Sequence, residues 1–337
     1  MKIKVMFTGG TIGSHVKENG YIAPKENVPY ELIEEYQKEH TGDVEFVIEE
    51  PFCILSENLT SKELNHMITN IKKTLLEECV DGIILTHGTD TLQYSAAILS
   101  YVFGGSDIPI LLVSSDFPLA DKRANGHSNF LHAVKFIEGQ YGTGVFVSYC
   151  NQEGNPTIHR GAKLLQHKAF SGDVESIGNN WYGIFEQDIF LLQAERKTYD
   201  KSEESSQKES MFSMEEKAEL SLDAGEILRI VPYVGMQYPT IPQGVKAILH
   251  ESYHSGTIGI NDQLRTFADR AKEREIPIYI TGLTKKESTY ETVEEYEKIG
   301  IIPLFDVTPI SQYCKLWLAI SNHKNIKQVM EQRFPWE

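Results

Sequence analysis

The sequence predicts an α/β fold with two domains: a larger N-terminal domain built on a mostly parallel sheet with flanking helices, and a smaller C-terminal α/β domain. Three observations carry this. Short strands read at 2–7, 81–85 and 110–113, and the last two carry continuous apolar runs, as strands covered on both faces do. Segments with helical spacing separate them, which is the order of a parallel sheet. The composition then turns charged and serine-rich near residue 195, so we expect domains at 1–194 and 225–337 with a linker at 195–224.

Taken in order, residues 2–7 form the first strand, and Thr8-Gly9-Gly10-Thr11-Ile12-Gly13 turns sharply out of it. Glycines permit that turn and let backbone approach a ligand where a Cβ would collide. Residues 14–30 read as a polar, irregular loop. Pro29 opens a helix over 31–37, and 44–48 is the next strand. Thr60 with Glu63 three residues on is a capping box, starting a helix that runs to about Glu78.

Residues 81–85 form a buried strand. Thr86-His87-Gly88-Thr89-Asp90-Thr91 follows, and then a helix over 92–99. A strand at 110–113, a helix at 130–137 and strands at 145–147 and 157–159 complete the first domain. In the second, strands fall at 227–231, 245–249 and 278–280, and helices at 263–274 and 293–298.

Ligands of open α/β sheets bind beyond the carboxyl ends of the strands. Two glycine turns rich in threonine stand at two such ends here. Neither fits the dinucleotide fingerprint or the phosphate loop, whose remaining glycines and lysine are missing. A threonine hydroxyl is a weak nucleophile that needs a base, and amide hydrolysis needs donors aimed at the developing oxyanion. Two such turns meeting at one point supply hydroxyls and main-chain N–H groups together.

Thr8-Gly9-Gly10-Thr11-Ile12 and His87-Gly88-Thr89-Asp90-Thr91 together resemble the two signature segments of the bacterial-type L-asparaginases, with the cytoplasmic type I group as the nearer likeness. Asp306-Val307-Thr308-Pro309 and Lys315-Leu316 resemble the family's closing segments. The resemblance implies hydrolysis of asparagine to aspartate and ammonia, with Thr11 as nucleophile, Tyr21 assisting it, and Thr89 as the second threonine. It further implies a substrate pocket drawn from Gly10, Ser56, Glu57, His87, Gly88, Thr89 and Asp90. Ser56 would face the substrate carboxylate, and Glu57 with Asp90 its ammonium. No metal or organic cofactor is implied, and the assembly would be a homodimer or homotetramer with sites between subunits.

The chain also departs from the family pattern. In Arg160-Gly161-Ala162-Lys163-Leu164-Leu165-Gln166, glutamine stands where the family carries its catalytic lysine. Lys168 would share a strand face with Gln166 and is the candidate substitute; Lys163 has the opposite parity. Ala124-Asn125-Gly126 replaces a Ser-Asp pair, and Ser255-Gly256-Thr257 a Gly-x-Gly-Asn-like segment. These departures leave two other readings: an asparaginase-like protein that binds an amino acid without hydrolysing it, and an amidase for glutamine or another amide.

His250-Glu251-Ser252-Tyr253-His254 satisfies H-E-x-x-H, which holds zinc when it lies on a helix. Here it follows a strand and is closed by Gly256, so a zinc site is not expected. The four cysteines form no Cys-x-x-Cys pair, consistent with unpaired thiols in a reducing compartment. With no apolar leader visible, the expected location is the cytoplasm. The net charge of −16 argues against nucleic-acid and membrane-surface partners, leaving a small molecule as the expected ligand.

Overall fold

The structure is a computed structural model of the 337-residue chain. It describes residues 1–17, 19, 21–24, 28–40, 42–193, 210–213, 216–223, 225–285 and 290–337. The chain divides into two compact units, Met1–Leu222 with Arg333–Glu337, and Asp223–Gln332. This differs from the expected division at both ends. The described residues of the expected linker, up to Leu222, belong to the first unit, and so do the last five residues of the chain. There Phe334 and Trp336 pack edge-on against Tyr101. The charged run at 194–209, the heart of that linker, lies outside the described residues.

The first unit contains strands β1 (Lys2–Phe7), β2 (Ser14–Val16), β3 (Ile22–Pro24), β4 (Glu45–Glu49), β5 (Gly82–Thr86), β6 (Pro109–Val113), β7 (Gly144–Tyr149), β8 (Thr157–Arg160), β9 (Gly183–Glu186) and β10 (Ile189–Leu192). Its helices are α1 (Val28–Glu39), α2 (Ser61–Glu77), α3 (Leu92–Phe103), α4 (Gly126–Glu138) and the single turn α5 (Glu216–Glu219). Eight strands make one sheet in the order β10-β9-β8-β7-β6-β5-β1-β4. β4, β1, β5, β6 and β7 run parallel, whereas β8, β9 and β10 join antiparallel.

Chain order explains where a ligand can enter. The path leaves β1 for β4 on one side and then returns to β5 on the other. The crevice between β1 and β5 is therefore the topological switch point, where connections depart to opposite sides.

The sheet is held by apolar side chains on both faces. Ile3, Val5, Ile84, Leu111 and Phe146 are buried with Phe130, Val134 and Phe136 of α4. Gly82 lets Ile137 close on β5, since a Cβ there would stand 2.7 Å from its Cδ1. The capping box on α2 forms as expected, with Thr60 and Glu63 bonded to one another's end groups. The stretch expected to be an irregular loop instead contains the β2–β3 hairpin, closed by Lys17 N–H donating to the Tyr21 carbonyl at 2.8 Å. β-branched or small residues at alternate positions gave too short a signal to read against the surrounding polar ones.

The second unit has four parallel strands in simple order, β11 (Ile227–Ile230), β12 (Ala247–Glu251), β13 (Ile278–Leu283) and β14 (Ile301–Phe305). Its helices are α6 (Asp262–Glu273), α7 (Thr292–Lys298), α8 (Pro309–Ser321) and α9 (Ile326–Glu331). β14, α8 and α9 add to the expected elements. Thr308 caps α8 through the Ser311 N–H, and Pro309 occupies its first turn, so Asp306-Val307-Thr308-Pro309 serves as a helix start.

Lys4 is the one lysine within β1 that the sheet buries, at 6% exposure. Its ammonium bridges Glu49 and Glu78, each at 2.8 Å, joining β4 and the end of α2 to β1. Both carboxylates keep some solvent, which weakens the pairing relative to a fully buried triad. Lys4→Ala should still lower unfolding free energy by about 2 kcal/mol, because two inward carboxylates lose their cation; urea titration reads this directly.

Candidate active site

The site begins with main-chain contact between two turns. Gly10 follows β1 with φ 79° and ψ −175°, a conformation essentially reserved for glycine. A Cβ on Gly10 would lie 2.3 Å from the Gly88 nitrogen, and one on Gly88 would lie 2.3 Å from Ser56 Oγ. The turns after β1 and β5 therefore touch backbone to backbone, with Ser56 closing over them. Hydrogen bonds lock the contact. Thr8 Oγ1 donates to the Thr86 carbonyl at 2.6 Å, and Gly10 N–H donates to the Ile54 carbonyl at 2.8 Å. Thr91 Oγ1 donates to the Ser56 carbonyl at 3.0 Å.

This arrangement collects most of the expected site residues. Thr11 opens the short 3-10 turn Thr11–Gly13 just past Gly10 and is partly accessible. Its hydroxyl makes no hydrogen bond with another described residue. Thr89 and Asp90 follow Gly88, with Thr89 half-buried and Asp90 exposed. Ser56 is 4% exposed, and Glu57 beside it is open to solvent. Main-chain N–H groups of the two turns and the start of α3 add donors suited to a carboxylate or an oxyanion.

Three expected residues behave differently. His87 is 2% exposed and lies beneath the turn rather than in the crevice. Its Nδ1 pairs with the Gly88 carbonyl and its Nε2 with Ser95 Oγ, both at 2.8 Å. Burial pushes its pKa down to about 4, so it stays neutral and braces the turn. Tyr21 directly precedes β3, which runs beside the Thr11–Gly13 turn, but its side chain is 72% exposed. Lys168 is exposed and paired with Glu175 at 2.6 Å. The premise that it shares a strand face with Gln166 fails, because 165–168 form no strand.

Residues at the ends of β6 and β7, outside the expected site set, are tied together as well. Asn125 accepts from the Asp116 N–H at 3.0 Å and donates to the Cys150 carbonyl at 2.7 Å, tying the ends of β6 and β7. Its position ahead of a helix was the available signal. Asp116, partly buried there, has its pKa raised by that burial. His250 of the H-E-x-x-H match lies on β12, with Nε2 facing Tyr238 Oη at 3.0 Å and Nδ1 facing the Glu251 carbonyl. His254 lies in the turn beyond, so the two histidines share no helical face. Among the described residues no group of three or more His, Cys, Asp or Glu is arranged to hold a metal ion. Nor is any helix among them long and apolar enough to cross a membrane.

A two-unit α/β protein with paired threonine turns at the switch point of its larger sheet is the class that fold and site define. The chain belongs to the asparaginase family: the family pattern described as "Asparaginase, N-terminal" matches residues 2–184. It is similar to L-asparaginase 1 of Escherichia coli K12, 33% identical over 142 residues, covering 41% of this chain and 40% of that protein. The match thus spans about two-fifths of the E. coli relative's length. The L-asparaginase of Thermococcus kodakarensis is 24% identical across 100% of this chain and 99% of its own. A glutamyl-tRNA(Gln) amidotransferase subunit of Methanopyrus kandleri is 25% identical over 97% of this chain and 72% of its own. Among solved structures, the thermostable T. kodakarensis L-asparaginase shares the fold, with a TM-score of 0.77 at 21% identity, covering 99% of this chain and 98% of that one.

Two predictions come from this geometry. Gly10→Ala and Gly88→Ala should each destabilise the protein by about 2 kcal/mol or more, since the added methyl must push the touching backbones apart; thermal unfolding measures it. Second, His87 and buried His159 both have pKa values pushed by burial from 6.5 to about 4. The unfolded chain then binds more protons between those values. Their stabilising contribution is complete above about pH 6.5 and is lost as pH falls toward 4, at most about 3 kcal/mol each. Denaturant midpoints measured across that window should fall with acidification, and less steeply in His87→Gln.

Proposed function

We propose that this protein is a cytoplasmic amidohydrolase of the L-asparaginase type, releasing ammonia from the side-chain amide of L-asparagine through a threonine nucleophile. The observation that carries the reading is the backbone contact of Gly10 with Gly88, which sets the Thr11 and Thr89 turns side by side at the switch point. Thr11 Oγ1 attacks the amide carbon, giving an acyl-threonine and ammonia; water then releases aspartate. Main-chain N–H groups of the turns stabilise the oxyanion. Ser56 meets the substrate carboxylate, and Asp90 and Glu57 meet its ammonium. Tyr21, at the start of the strand beside the Thr11–Gly13 turn, assists Thr11. The reading needs no metal or organic cofactor, and it takes the working form to be a homo-oligomer.

A second reading keeps the chemistry and changes the substrate, to glutamine or an amide carried on a larger molecule. The likeness to the amidotransferase protein over nearly the whole chain favours it, while the net charge of −16 weighs against a bound polyanion. Gln166 in place of a lysine, with Lys168 tied to Glu175, is what favours a non-hydrolytic binding protein.

Ammonia release separates these readings. Thr11→Ala and Thr89→Ala should each reduce kcat with asparagine by at least about 10³-fold, the scale of losing a nucleophile or its activating partner, at unchanged melting temperature. Activity retained in either variant would remove the threonine mechanism. Thermal stabilisation of the wild type by aspartate without any turnover would favour the binding protein.

A further inference from the structure

The first turn of α3 holds a buried amide that the helix itself does not need. Main-chain N–H groups there reach two carbonyls. Leu92 donates to Thr89 at 3.4 Å, and Tyr94 and Ser95 donate to Thr91 at 3.1 and 3.3 Å. The Asp90 carbonyl, between those two in the chain, is taken by a side chain instead: Gln93 Nε2 donates to it at 3.0 Å. Gln93 is 1% exposed, and its Oε1 is buried with no hydrogen-bond partner among the described residues. Turning the amide over would set two carbonyl oxygens against each other, so the donor end is fixed on Asp90.

The orphaned oxygen separates a stabilising role from a functional one. A buried acceptor with no donor costs free energy. An apolar side chain of the same length would fill the space without that cost. Asp90 is exposed, so water can serve its carbonyl in place of the amide. Packing therefore gives no reason for glutamine at this position. What the amide adds is a fixed peptide after Asp90.

The other side of the same peptide is held as well. Thr91 Oγ1 donates to the Ser56 carbonyl at 3.0 Å, and Ser56 is buried against Gly88. The Asp90–Thr91 peptide is thus clamped twice, by α3 through Gln93 and by the Ser56 turn through Thr91. The Asp90 carboxylate projects from that clamped segment, so its place relative to Ser56 is set by main-chain hydrogen bonds.

We propose that Gln93 is a positioning residue that fixes the Asp90 carboxylate relative to Ser56, and so makes the site select ligands that carry an α-ammonium beside an α-carboxylate. This rests on the amidohydrolase reading, in which Ser56 meets the carboxylate and Asp90 the ammonium. Gln93 acts through the Asp90 peptide and not on the reacting atoms. Asparagine and glutamine carry both charged groups and depend on it alike. A ligand without the ammonium has nothing to gain from a well-placed Asp90.

The test compares L-aspartate with succinate, which keeps both carboxylates and lacks the ammonium. Calorimetric titration of the wild type should show aspartate bound at least about tenfold more tightly. Gln93→Met keeps the length and apolar bulk and loses the amide. It should weaken aspartate about tenfold, hold succinate within about twofold, and leave the melting temperature unchanged or raised. With asparagine as substrate, KM should rise about tenfold at nearly constant kcat. Adding Gln93→Met to Asp90→Ala should cost aspartate no further affinity, because both act through one carboxylate.

Equal losses for the two acids, an unaltered aspartate affinity, additive losses in the double variant, or a lowered melting temperature in Gln93→Met would each overturn the assignment. A wild type that binds the two acids equally would overturn the ammonium subsite and the assignment with it. Ammonia release, assayed alongside, judges hydrolysis separately. A wild type that discriminates the acids but yields no ammonia loses the hydrolytic reading, while the Gln93→Met comparison still decides the assignment.

Discussion

Close approach of two main chains is the constraint on which this molecule depends. Gly10 and Gly88 meet where no side chain could fit, and Ser56 packs onto the same point. The neighbouring hydrogen bonds, from Thr8 to Thr86 and from Gly10 to Ile54, consume polar groups that the contact would otherwise strand. The result is a rigid floor made of peptide groups. Hydroxyls and N–H donors around it are fixed by backbone rather than by flexible side chains, which is the kind of preorganisation that oxyanion stabilisation requires.

The sheet around that floor explains why it forms there. β1 lies between the edge strand β4 and β5, and all three run parallel, so their following turns emerge at one end of the sheet. Lys4 ties the flank on the β4 side through Glu49 and Glu78, and His87 braces the β5 turn from below. Polar atoms buried at such depth are costly unless paired. The Lys4 ammonium and both His87 ring nitrogens are paired, so groups that could have weakened the core locate the turns within it.

Connecting segments lie beside these turns. The β2–β3 hairpin carries Tyr21, and the segment after β8 carries Gln166, His167 and Lys168. Turns at strand ends hold the threonines, while connecting segments hold residues that differ from the family pattern.

Local pattern alone determined much of this. The apolar runs of β1, β5 and β6, the capping box at Thr60 and the two glycine-threonine turns are all encoded over a few consecutive residues, where sterics and periodicity act directly. Those turns also sufficed to expect a shared site for Thr11, Thr89 and Asp90. Tertiary structure decided the rest. The roles of His87 and Lys168 depend on which groups meet them, Ser95 for one and Glu175 for the other, and no spacing rule reports that. His87 looked like a pocket residue because it sits in a signature turn, yet its ring points to Ser95. Lys168 looked available because strand parity was assumed, and an ion pair with Glu175 engages it. Side-chain direction at a turn is set by what packs against it, so the strands and turns could be read from sequence, but the working surfaces of their side chains arose only on folding.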